Sequence, residues 1–588
     1  MNIQILLLKK IHQTLLPIIN KSLLSTIQVQ QSTQKKFGNY QINGIIKLSK
    51  KINIPIETLL KKIINVINLN NIAKKITIEK PGFINISLCP KWISIQLNNI
   101  FITSNLGVIP TTTAKTIVID YSSPNIAKEM HVGHLRSTVI GDSIARILSF
   151  LGHNVIRVNH LGDWGTQFGM LIAYIATHIQ KELLLNHQIT TLSKLESFYR
   201  KAKKIYDNDP KFAELSRHYV VKLQQGNKQC SQIWKQLVDI SILNNQDTYK
   251  RLNITLKKHH IMGESFYHHM VPDIITDLKN KKLAVKSNGA TVVFLKNSHQ
   301  RHNSSDFGVI IQKKDGAYLY STTDIACIKY RCETLKADRI IYYTDSRQKQ
   351  HLSQIWEIAK AANYIKKTTI LEHHVCGMLL GKDGKPFKSR SGYTVKLKTL
   401  LDEALEHAHK LISQKKYNLK YKKQINKIAH TISIGAIKYS ELSKNRTTDY
   451  IFNWDNMLNF NGKTAPYIQY AYTRIFSIFK KFKNSKYYHH KFTKNNIQLE
   501  TSEEISLAIC LLQFEETIVN TANQGSPHIL CSYLYKVSVL FSSFYENCPI
   551  LQINDIYKKY SRLKLAFITA RILKTGLNLL GIKTIRYM

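Results

Sequence analysis

Three short runs of β-branched and apolar residues most tightly limit the folds open to this chain of 588 residues. They span residues 116–121, 154–159 and 339–344, and each stops at a polar loop that leads into helical sequence. Strands that alternate with helices favour a parallel, doubly wound sheet. The ligands of such sheets bind beyond the carboxyl ends of the strands. We therefore expect an α/β core whose functional site lies in the loops after these strands.

The sequence on either side of this core differs in texture. Residues 1–112 mix short amphipathic runs with strand-like sequence and predict a small α+β domain. Residues 113–455 contain the parallel sheet, with a polar and mostly helical insertion at about 176–300. Residues 456–588 predict an all-α bundle. Three domains agree with a chain that is too long for one hydrophobic core.

Capping signals mark the helices of the last domain. Thr501 and Glu504 form a capping box ahead of an apolar helical face. A serine and Pro527 open the next helix, and Gly581 is placed to end the last one.

The net charge of +46 comes from 84 basic and 38 acidic residues. A field of this size attracts polyanions and would speed encounter with nucleic acid. The sequence is also crowded with Ile, Asn and Lys, as an AT-rich genome would produce, and such a bias raises lysine everywhere. Both explanations stay open, so the charge permits nucleic-acid binding without establishing it.

The eight cysteines lie far apart and form no Cys-x-x-Cys pair, so neither a zinc site nor a disulfide framework is predicted. Scattered, buried and inert thiols suit a reducing cytosol. No apolar run approaches the roughly 18–20 residues that span a bilayer. Residues 1–10 lack the basic start and the cleavage site of a signal peptide. We expect a cytoplasmic protein with no permanently bound metal and no membrane contact.

The densest chemical signal is the loop at 124–134, after which a helix begins at about Gly133. Helix N-termini bind phosphate through unpaired N–H groups and a positive dipole end. His131 and His134 can donate hydrogen bonds to phosphate oxygens, and Gly133 lets a flat adenine lie against bare backbone. A pair of helix-start histidines without a ligand is the alternative. The position after a β-branched strand, with Lys128 just upstream, favours phosphate binding.

This segment resembles the first signature of the class I aminoacyl-tRNA synthetases. The longer pattern Ser-Pro-Asn-x-Ala-Lys-x-x-His-x-Gly-His-Leu-Arg-Ser-Thr is similar to the arginyl branch, of bacterial type. Further motifs extend the resemblance along the whole chain, at residues 37–41, 81–85, 159–167, 263–267, 319–326, 445–450 and 465–474.

The resemblance implies a Rossmann-like catalytic domain at 113–455, an N-terminal tRNA-elbow-binding domain at 1–112 and a helical anticodon-binding domain at 456–588. It implies a monomeric ligase of protein synthesis that forms arginyl-adenylate from L-arginine and ATP with Mg²⁺, and then transfers arginine to the terminal ribose of its tRNA. Positioning and charge stabilisation dominate such chemistry, so no side-chain nucleophile is required.

Arginine recognition can also be argued from the residues. A guanidinium is planar, always charged and has five donors, so its recognition requires carboxylates at fixed angles. Asp324 follows Tyr320 by one helical turn, so a ring and a carboxylate share one face. A helix-cap aspartate is the alternative for Asp324. By the resemblance, these two residues and Asp120 hold the guanidinium, and the α-amino and α-carboxylate groups are held by Asn125, His131 and Gln348.

The resemblance gives catalytic and ATP-binding roles to Lys128, His131, Gly133 and His134. The second class signature is a mobile Lys-Met-Ser-Lys-Ser loop. Its nearest match, at 384–392, is imperfect and supplies Lys388, Ser389 and Arg390. The glycine at position 384 suits a flexible lid, whereas a basic surface loop is the alternative. In arginyl enzymes that depart from this signature, the lysine beside the histidine motif supplies the charge, so we expect more from Lys128 than from Lys388.

Candidate tRNA contacts lie in both flanking domains. Tyr467, Tyr470 and Arg474 interleave rings with a cation, as single-stranded RNA loops favour. Core packing is the alternative for these tyrosines. In the N-terminal domain, the resemblance points to Phe83 and Asn85.

Two other kinds of function compete with this interpretation. A cysteinyl-tRNA synthetase would carry clustered zinc ligands, and a pantothenate synthetase would lack the large helical C-terminal domain. A catalytically retired RNA-binding paralogue would have lost motif residues, but these are intact: His131, Gly133, His134, Asp324 and Gln348. Arginyl-tRNA formation is therefore the expected function.

Overall fold

The protein is represented by a computed structural model. The residues described are 1–178, 191–295, 307–381, 383–385, 395–413, 422–451, 453, 457–483 and 495–586.

The N-terminal part is a four-stranded antiparallel sheet with helices packed on it. Its strands lie in the order Gln28–Gln31, Tyr40–Asn43, Phe83–Leu88 and Ala73–Glu79. Its α-helices are Ile3–Leu15, Lys21–Leu24, Ile45–Ile52, Ile56–Val66 and Pro90–Ile102. The first helix buries one residue per turn, as the amphipathic pattern requires: Ile3, Leu7, Ile11 and Leu15. The predicted α+β architecture is confirmed.

The central sheet has four parallel strands in the order Ile370–His373, Arg339–Tyr342, Thr116–Asp120 and Asn154–Val158. The strand Asn154–Val158 is added on one side of Thr116–Asp120. The later strands Arg339–Tyr342 and Ile370–His373 are added on its other side. The reversal between Thr116–Asp120 and Arg339–Tyr342 is a topological switch point, which opens a crevice beyond their carboxyl ends. The predicted parallel sheet is confirmed, and the loops at 121–134 and 343–348 face this crevice.

Helices cover the sheet and form most of the insertion. The α-helices of this central part are Leu135–Phe150, Thr166–His178, Leu192–Asn208, Pro210–Gln224, Lys228–Arg251, Val271–Asn280, Tyr320–Glu333, Lys349–Ala361, Leu397–Ser413 and Lys422–Leu442. Short 3₁₀ helices occur at Lys35–Phe37, Val132–His134, Lys258–His260, Glu264–Met270 and Ser346–Gln348.

The end of the predicted insertion is strand rather than helix. Three antiparallel strands, Ala284–Ser287, Ala290–Leu295 and Phe307–Gln312, form a separate sheet. The first two are joined by Asn288 and Gly289, whose φ angles of 48° and 80° are both positive. A two-residue Asn-Gly loop of this kind makes a tight hairpin. A further short parallel pair joins Leu379–Leu380 to Tyr450–Ile451.

The C-terminal part is the predicted helical bundle. Its α-helices are Ala465–Lys483, Ser502–Leu512, Phe514–Gln524, His528–Asn547 and Ile556–Leu579. The capping box is confirmed, because Thr501 Oγ1 accepts from the Glu504 N–H at 3.2 Å and Glu504 Oε2 accepts from the Thr501 N–H at 3.1 Å. Among the described helices, none by itself is long and apolar enough to cross a membrane, whereas the bent pair Ser502–Leu512 and Phe514–Gln524 passes that test when taken together.

One apolar core runs through all three parts of the chain. It contains Leu7 of the first helix, Ile144 of the helix Leu135–Phe150 and Leu573 of the last helix. The helix Leu135–Phe150 directly follows the histidine motif. The flanking parts are therefore packed against an element that begins at the candidate site.

Candidate active site

The loop after the Thr116–Asp120 strand has an unusual backbone. Ser122, Ser123 and Ala127 have positive φ angles of 76°, 44° and 63°. Such angles cost side-chain-bearing residues about 1–2 kcal/mol each. Buried partners hold the loop: Asn159 Oδ1 accepts from the Ser123 N–H at 3.1 Å, and the Ser122 hydroxyl lies 2.7 Å from the Tyr249 hydroxyl. Strain that the surroundings enforce is typical of functional sites.

The histidine motif forms a 3₁₀ turn at Val132–His134. His131 Nδ1 accepts from the Gly133 N–H at 3.1 Å, and His134 Nδ1 accepts from the His131 N–H at 3.2 Å. The two ring centroids lie 3.9 Å apart. Since each Nδ1 is an acceptor, the proton of each neutral ring sits on Nε2. The turn thus presents two Nε2–H donors side by side.

Both imidazoles are held neutral at physiological pH. Burial lowers the pKa of His134 to about 3, with a further contribution from the adjacent His131. Burial also lowers the pKa of His131, helped by the positive charges of Arg347 and Lys128. Neutral imidazoles donate hydrogen bonds without adding charge, so these cations must supply the positive field for a polyphosphate.

Gly133 has a local structural reason. A Cβ at this position would lie 2.8 Å from Cε1 and 2.9 Å from Nδ1 of His131. Any side chain would therefore push the His131 ring away from His134. The glycine keeps the two rings together and leaves the backbone exposed toward the crevice.

The segment at 395–397 holds the histidine turn from outside. The Val132 N–H donates to the Val395 carbonyl at 3.0 Å, and the Leu397 N–H donates to the Met130 carbonyl at 2.9 Å. Lys396 forms an ion pair with Glu129 at 3.1 Å. This segment directly follows the predicted second signature, whose Lys388, Ser389 and Arg390 lie outside the described residues.

Lys128 is exposed at the edge of the crevice. Its Nζ lies 4.6 Å from the ring centroid of Tyr199, which belongs to the helical insertion. A cation resting on an aromatic face in solvent is held by only about 0.5–1 kcal/mol. Lys128 can therefore turn toward a phosphate group at small cost.

Asp324 sits on the first turns of the helix Tyr320–Glu333, whose N-cap is Leu319, so the helix-cap alternative is wrong. Its Oδ2 accepts from His351 Nε2 at 2.6 Å, and its Oδ1 lies 3.4 Å from His160 Nε2. Burial would raise the pKa of Asp324, but the bonds from both histidines outweigh it and hold the pKa below its usual value. The ring of Tyr320, one turn earlier, lies 4.9 Å from the His351 ring, so Tyr320 and Asp324 both approach His351.

Glu264 was not among the predicted site residues. Burial raises the pKa of its carboxyl to about 8, against the opposing charge of His160 and with help from the negative charges of Asp324 and Asp163. Asp163 is itself buried and accepts from the Ser265 hydroxyl at 2.6 Å. Three carboxyl groups thus share a region in which burial raises the pKa of two of them, Glu264 and Asp163. The sequence signal was the Gly-Glu-Ser-Phe-Tyr motif at 263–267, one of the motifs that carry the family resemblance, and Glu264 is its acidic residue.

Asp120 is engaged within the protein. Its Oδ2 accepts from Arg331 Nη2 at 2.6 Å, and its Oδ1 accepts from the Ser123 hydroxyl at 3.0 Å. Arg331 is fully buried, and its Nε and Nη1 have no hydrogen-bond partner among the described residues. The charge predicted to attract a substrate guanidinium is therefore already balanced by this arginine.

The residues predicted to hold the α-groups of arginine lie in the two loops at the switch point. Asn125 is exposed, and its backbone pairs with Gly162. Gln348 ends the 3₁₀ helix Ser346–Gln348 and precedes the helix Lys349–Ala361. The parallel pairing of Tyr342 with Asp120 brings these loops to the same edge of the sheet.

Of the predicted tRNA residues of the helical domain, Tyr470 is exposed, whereas Tyr467 and Arg474 are partly buried. Arg474 stacks over Tyr470 at 5.0 Å and over Tyr545 at 5.3 Å. The ring of Tyr467 lies 5.5 Å from that of Tyr535. Tyr467 is packed against the core, so the core-packing alternative holds for this ring.

In the N-terminal sheet, Phe83 is partly buried and Asn85 is 2% exposed. Asn85 Oδ1 accepts from Gln41 at 2.8 Å, whereas its Nδ2 has no partner among the described residues.

All eight cysteines are free thiols. The part of the chain that the structure describes contains no group of three or more His, Cys, Asp or Glu side chains placed to hold a metal ion.

Family models match three parts of the chain. Residues 4–88 match the arginyl tRNA synthetase N terminal domain, residues 96–454 match the catalytic domain of the class I (R) tRNA synthetases, and residues 468–588 match the DALR anticodon binding domain.

Individual proteins match over the full length. The arginine–tRNA ligases of Blochmanniella pennsylvanica and Sodalis glossinidius are 72% and 54% identical over 588 residues, which is 100% of each chain. The crystal structure of arginyl-tRNA synthetase from Plasmodium falciparum superposes with a TM-score of 0.83 at 32% identity, covering 100% of this chain and 98% of that one. The Thermus thermophilus enzyme has the same fold, with a TM-score of 0.79 at 21% identity over 100% of both chains.

Proposed function

This chain belongs to the arginyl-tRNA synthetase family, and from that membership we propose how its residues carry out the reaction. Its activity is that of an arginine–tRNA ligase, which uses ATP to join L-arginine to tRNA in protein synthesis. The assignment of the site rests on one observation. Two neutral Nε2–H donors, those of His131 and His134, lie in the crevice that also contains Asp324.

The chemistry divides into two displacements. The carboxylate of arginine attacks the α-phosphorus of ATP, supplied as its Mg²⁺ complex, and pyrophosphate leaves as arginyl-adenylate forms. A hydroxyl of the terminal ribose of tRNA then attacks the adenylate carbonyl, and AMP leaves. The protein lowers both barriers by positioning the reactants and by stabilising charge.

For ATP, we assign phosphate contacts to the Nε2–H groups of His131 and His134, and adenine packing to the bare backbone of Gly133. Lys128 supplies positive charge close to the turn, which its effect on the pKa of His131 supports. By the family resemblance, we assign ATP contacts to Lys388, Ser389 and Arg390 as well.

For arginine, we assign the guanidinium to Asp324 and Tyr320, and we add Glu264 to this set. A carboxyl group held protonated by burial and negative neighbours is stabilised in its charged form when a guanidinium arrives. Asp120 contributes mainly by fixing Ser123 and Arg331 at the base of the pocket. The α-amino and α-carboxylate groups are held by Asn125, His131 and Gln348.

For tRNA, we assign loop contacts to Tyr467, Tyr470 and Arg474, and contacts with the tRNA elbow to Phe83 and Asn85. The stacked Arg474 and the exposed Tyr470 support the first assignment. The second assignment rests on the family resemblance of the N-terminal part. We further propose that the enzyme works as a cytoplasmic monomer without membrane contact, in keeping with its family resemblance.

Charging assays with arginine and citrulline test the guanidinium assignment. Citrulline keeps the shape of arginine but has no charge. A site built around carboxylates should charge tRNA with citrulline about 10⁴-fold less efficiently, because its polar groups would stay unpaired. Equal kcat/KM for the two amino acids would refute the assigned pocket.

A further inference from the structure

A turn of the C-terminal bundle touches the catalytic sheet beside the active site. Gly525 ends the helix Phe514–Gln524 in a left-handed conformation, with φ of 56°. Its carbonyl accepts a hydrogen bond of 3.1 Å from the hydroxyl of Tyr343. Tyr343 is buried and directly follows the strand Arg339–Tyr342. The central sheet is therefore bonded to the backbone of the tRNA-binding part at the edge where substrates bind.

His374 makes the second half of this joint. Its Nδ1 lies 2.9 Å from the Tyr343 hydroxyl, and its Nε2 lies 2.7 Å from Glu372 Oε2. Because the tyrosine donates its one proton to the Gly525 carbonyl, it accepts from the Nδ1–H of His374. Glu372 also accepts from Arg339 at 3.0 and 2.8 Å. A chain of hydrogen bonds thus crosses the ends of two neighbouring strands and terminates on the Gly525 carbonyl.

The joint requires glycine at position 525. A Cβ there would lie 2.1 Å from Cε1 of His374 and 2.7 Å from the Tyr343 hydroxyl oxygen. The positive φ adds a second cost for any other residue. Gly525, Tyr343 and His374 therefore fit together only in this arrangement.

The joint fixes the start of the loop at 344–348. The Tyr343 N–H donates to the Asp120 carbonyl at 2.9 Å, and the Cys376 N–H donates to the Thr344 carbonyl at 3.0 Å. Four residues after Thr344 comes Gln348, and the charge of Arg347 is felt at His131. A shift of the Tyr343 backbone would therefore move groups that face both arginine and the phosphates.

We propose that Gly525, Tyr343 and His374 are positioning residues, through which the C-terminal bundle sets the loop at 344–348 for catalysis. None of these three residues is assigned a substrate contact. The inference rests on the proposed function of this crevice in arginine binding, and it extends that function to the element that holds the loop at 344–348 in place.

The test compares Gly525→Ala and Tyr343→Phe in the full-length protein with Gly226→Ala. Gly226 has φ of 79° and nothing within 4 Å of an added Cβ, so it reports the backbone strain without the clash. We expect both joint variants to lower kcat/KM for arginine in tRNA-supported pyrophosphate exchange by about tenfold or more, because small misplacements of binding groups are costly. Affinity for tRNA and the melting temperature should match those of Gly226→Ala.

A double-mutant cycle sharpens the test. If both substitutions break one contact, the double variant should be no slower than Gly525→Ala alone. Normal arginine kinetics in both single variants, additive effects, or a loss of tRNA affinity that accounts for the whole defect would overturn the inference. If Gly525→Ala does not fold, the arginine kinetics of Tyr343→Phe alone test the inference. If Gln348→Ala leaves the KM for arginine unchanged while Gly525→Ala raises it, the role of Gln348 fails and the positioning inference stands.

Discussion

At the scale of single residues, the proposed guanidinium pocket combines carboxyl groups whose pKa values are shifted in opposite directions. Asp324 is kept ionised by bonds from His160 and His351, whereas burial keeps Glu264 protonated near neutral pH. In the proposed binding mode, the carboxylate of Asp324 is present before arginine arrives, and that of Glu264 forms only when arginine binds. This arrangement avoids placing a second carboxylate charge close to that of Asp324 in the empty site.

Replacing Asp324 by Asn tests the permanent charge. The variant keeps the shape of the side chain but removes the charge that pairs with the guanidinium. Truncating one partner of a buried charge pair costs about 2–5 kcal/mol, so the KM for arginine should rise at least tens-fold. Steady-state exchange measured beside the exposed control Asp273→Asn checks this, and an unchanged KM would place the guanidinium elsewhere.

Glu264 predicts a pH dependence of arginine binding. Its carboxyl is mostly protonated at pH 7 in the empty site, since its pKa is about 8. The guanidinium favours the ionised form, so binding releases a proton and strengthens as pH rises. By linkage, the KM for arginine should fall about fivefold between pH 7 and pH 8. In Glu264→Gln the KM should stay flat over this range. A slope that persists in the variant would assign the titration to another group.

At the scale of elements, the histidine turn works as one unit. Each imidazole accepts a backbone N–H, and the segment at 395–397 pins the turn from outside. In the proposed ATP site, the two donors are thus fixed in advance, so that little reorganisation is needed in the transition state. The pattern of residue types predicted the turn, but the pinning segment lies more than 250 positions away and gave no sequence signal.

The turn is tested by His134→Ala. Removing one preorganised donor typically costs a factor of about 10²–10³ in rate, so adenylate formation should slow by that order. Arginine affinity and the melting temperature should stay close to those of His218→Ala, which changes an exposed histidine of the insertion. A fully active His134→Ala enzyme would remove this residue from the phosphate site.

Gly133→Ala separates the position of the rings from their chemistry. The added Cβ would meet the His131 ring at 2.8 Å and rotate it away, while both imidazoles remain present. We expect the KM for ATP to rise and adenylate formation to slow, measured in the same exchange assay. Wild-type values for both would show that ring placement is not critical.

Local signals explain which elements the sequence predicted. The β-branched runs gave the three strands that flank the crevice, and the pair Thr501 and Glu504 gave a helix start that the structure reproduces. The hairpin at Asn288 and Gly289 also has a local signal, the Asn-Gly pair, although the polar composition of the insertion predicted mostly helix. Contacts between distant segments had no local sequence signal, because the residues that meet are far apart in the chain. Tyr343 and Gly525, for example, are 182 positions apart.

The same limit applies inside the site. The four-residue spacing placed Tyr320 and Asp324 on one helical face, and both reach His351. Nothing in the local pattern showed that Asp120 would be neutralised by Arg331, or that Glu264 would be buried among acidic neighbours. Those facts depend on which strands and helices meet, so they required the fold.

At the scale of the whole molecule, the catalytic sheet is held between two parts that resemble tRNA-binding modules. One apolar core includes residues of all three parts, and Arg146 reaches from the helix after the histidine turn to the Asn578 carbonyl at 3.4 Å. Binding of tRNA to the outer parts can therefore bias the arrangement of the crevice, provided that tRNA prefers the competent conformation. The imperfect match to the second class signature leaves room for such help.

The coupling between tRNA binding and adenylate formation is tested most directly by ATP–pyrophosphate exchange. The purified full-length protein is assayed with arginine and tRNA added separately and together. We predict almost no exchange with arginine alone and robust exchange once cognate tRNA is present. Transfer RNA with an oxidised terminal ribose should work equally well, because its role in this step is structural. Robust exchange without RNA would contradict the coupling, and exchange that depends on tRNA but not on arginine would contradict the assigned pocket.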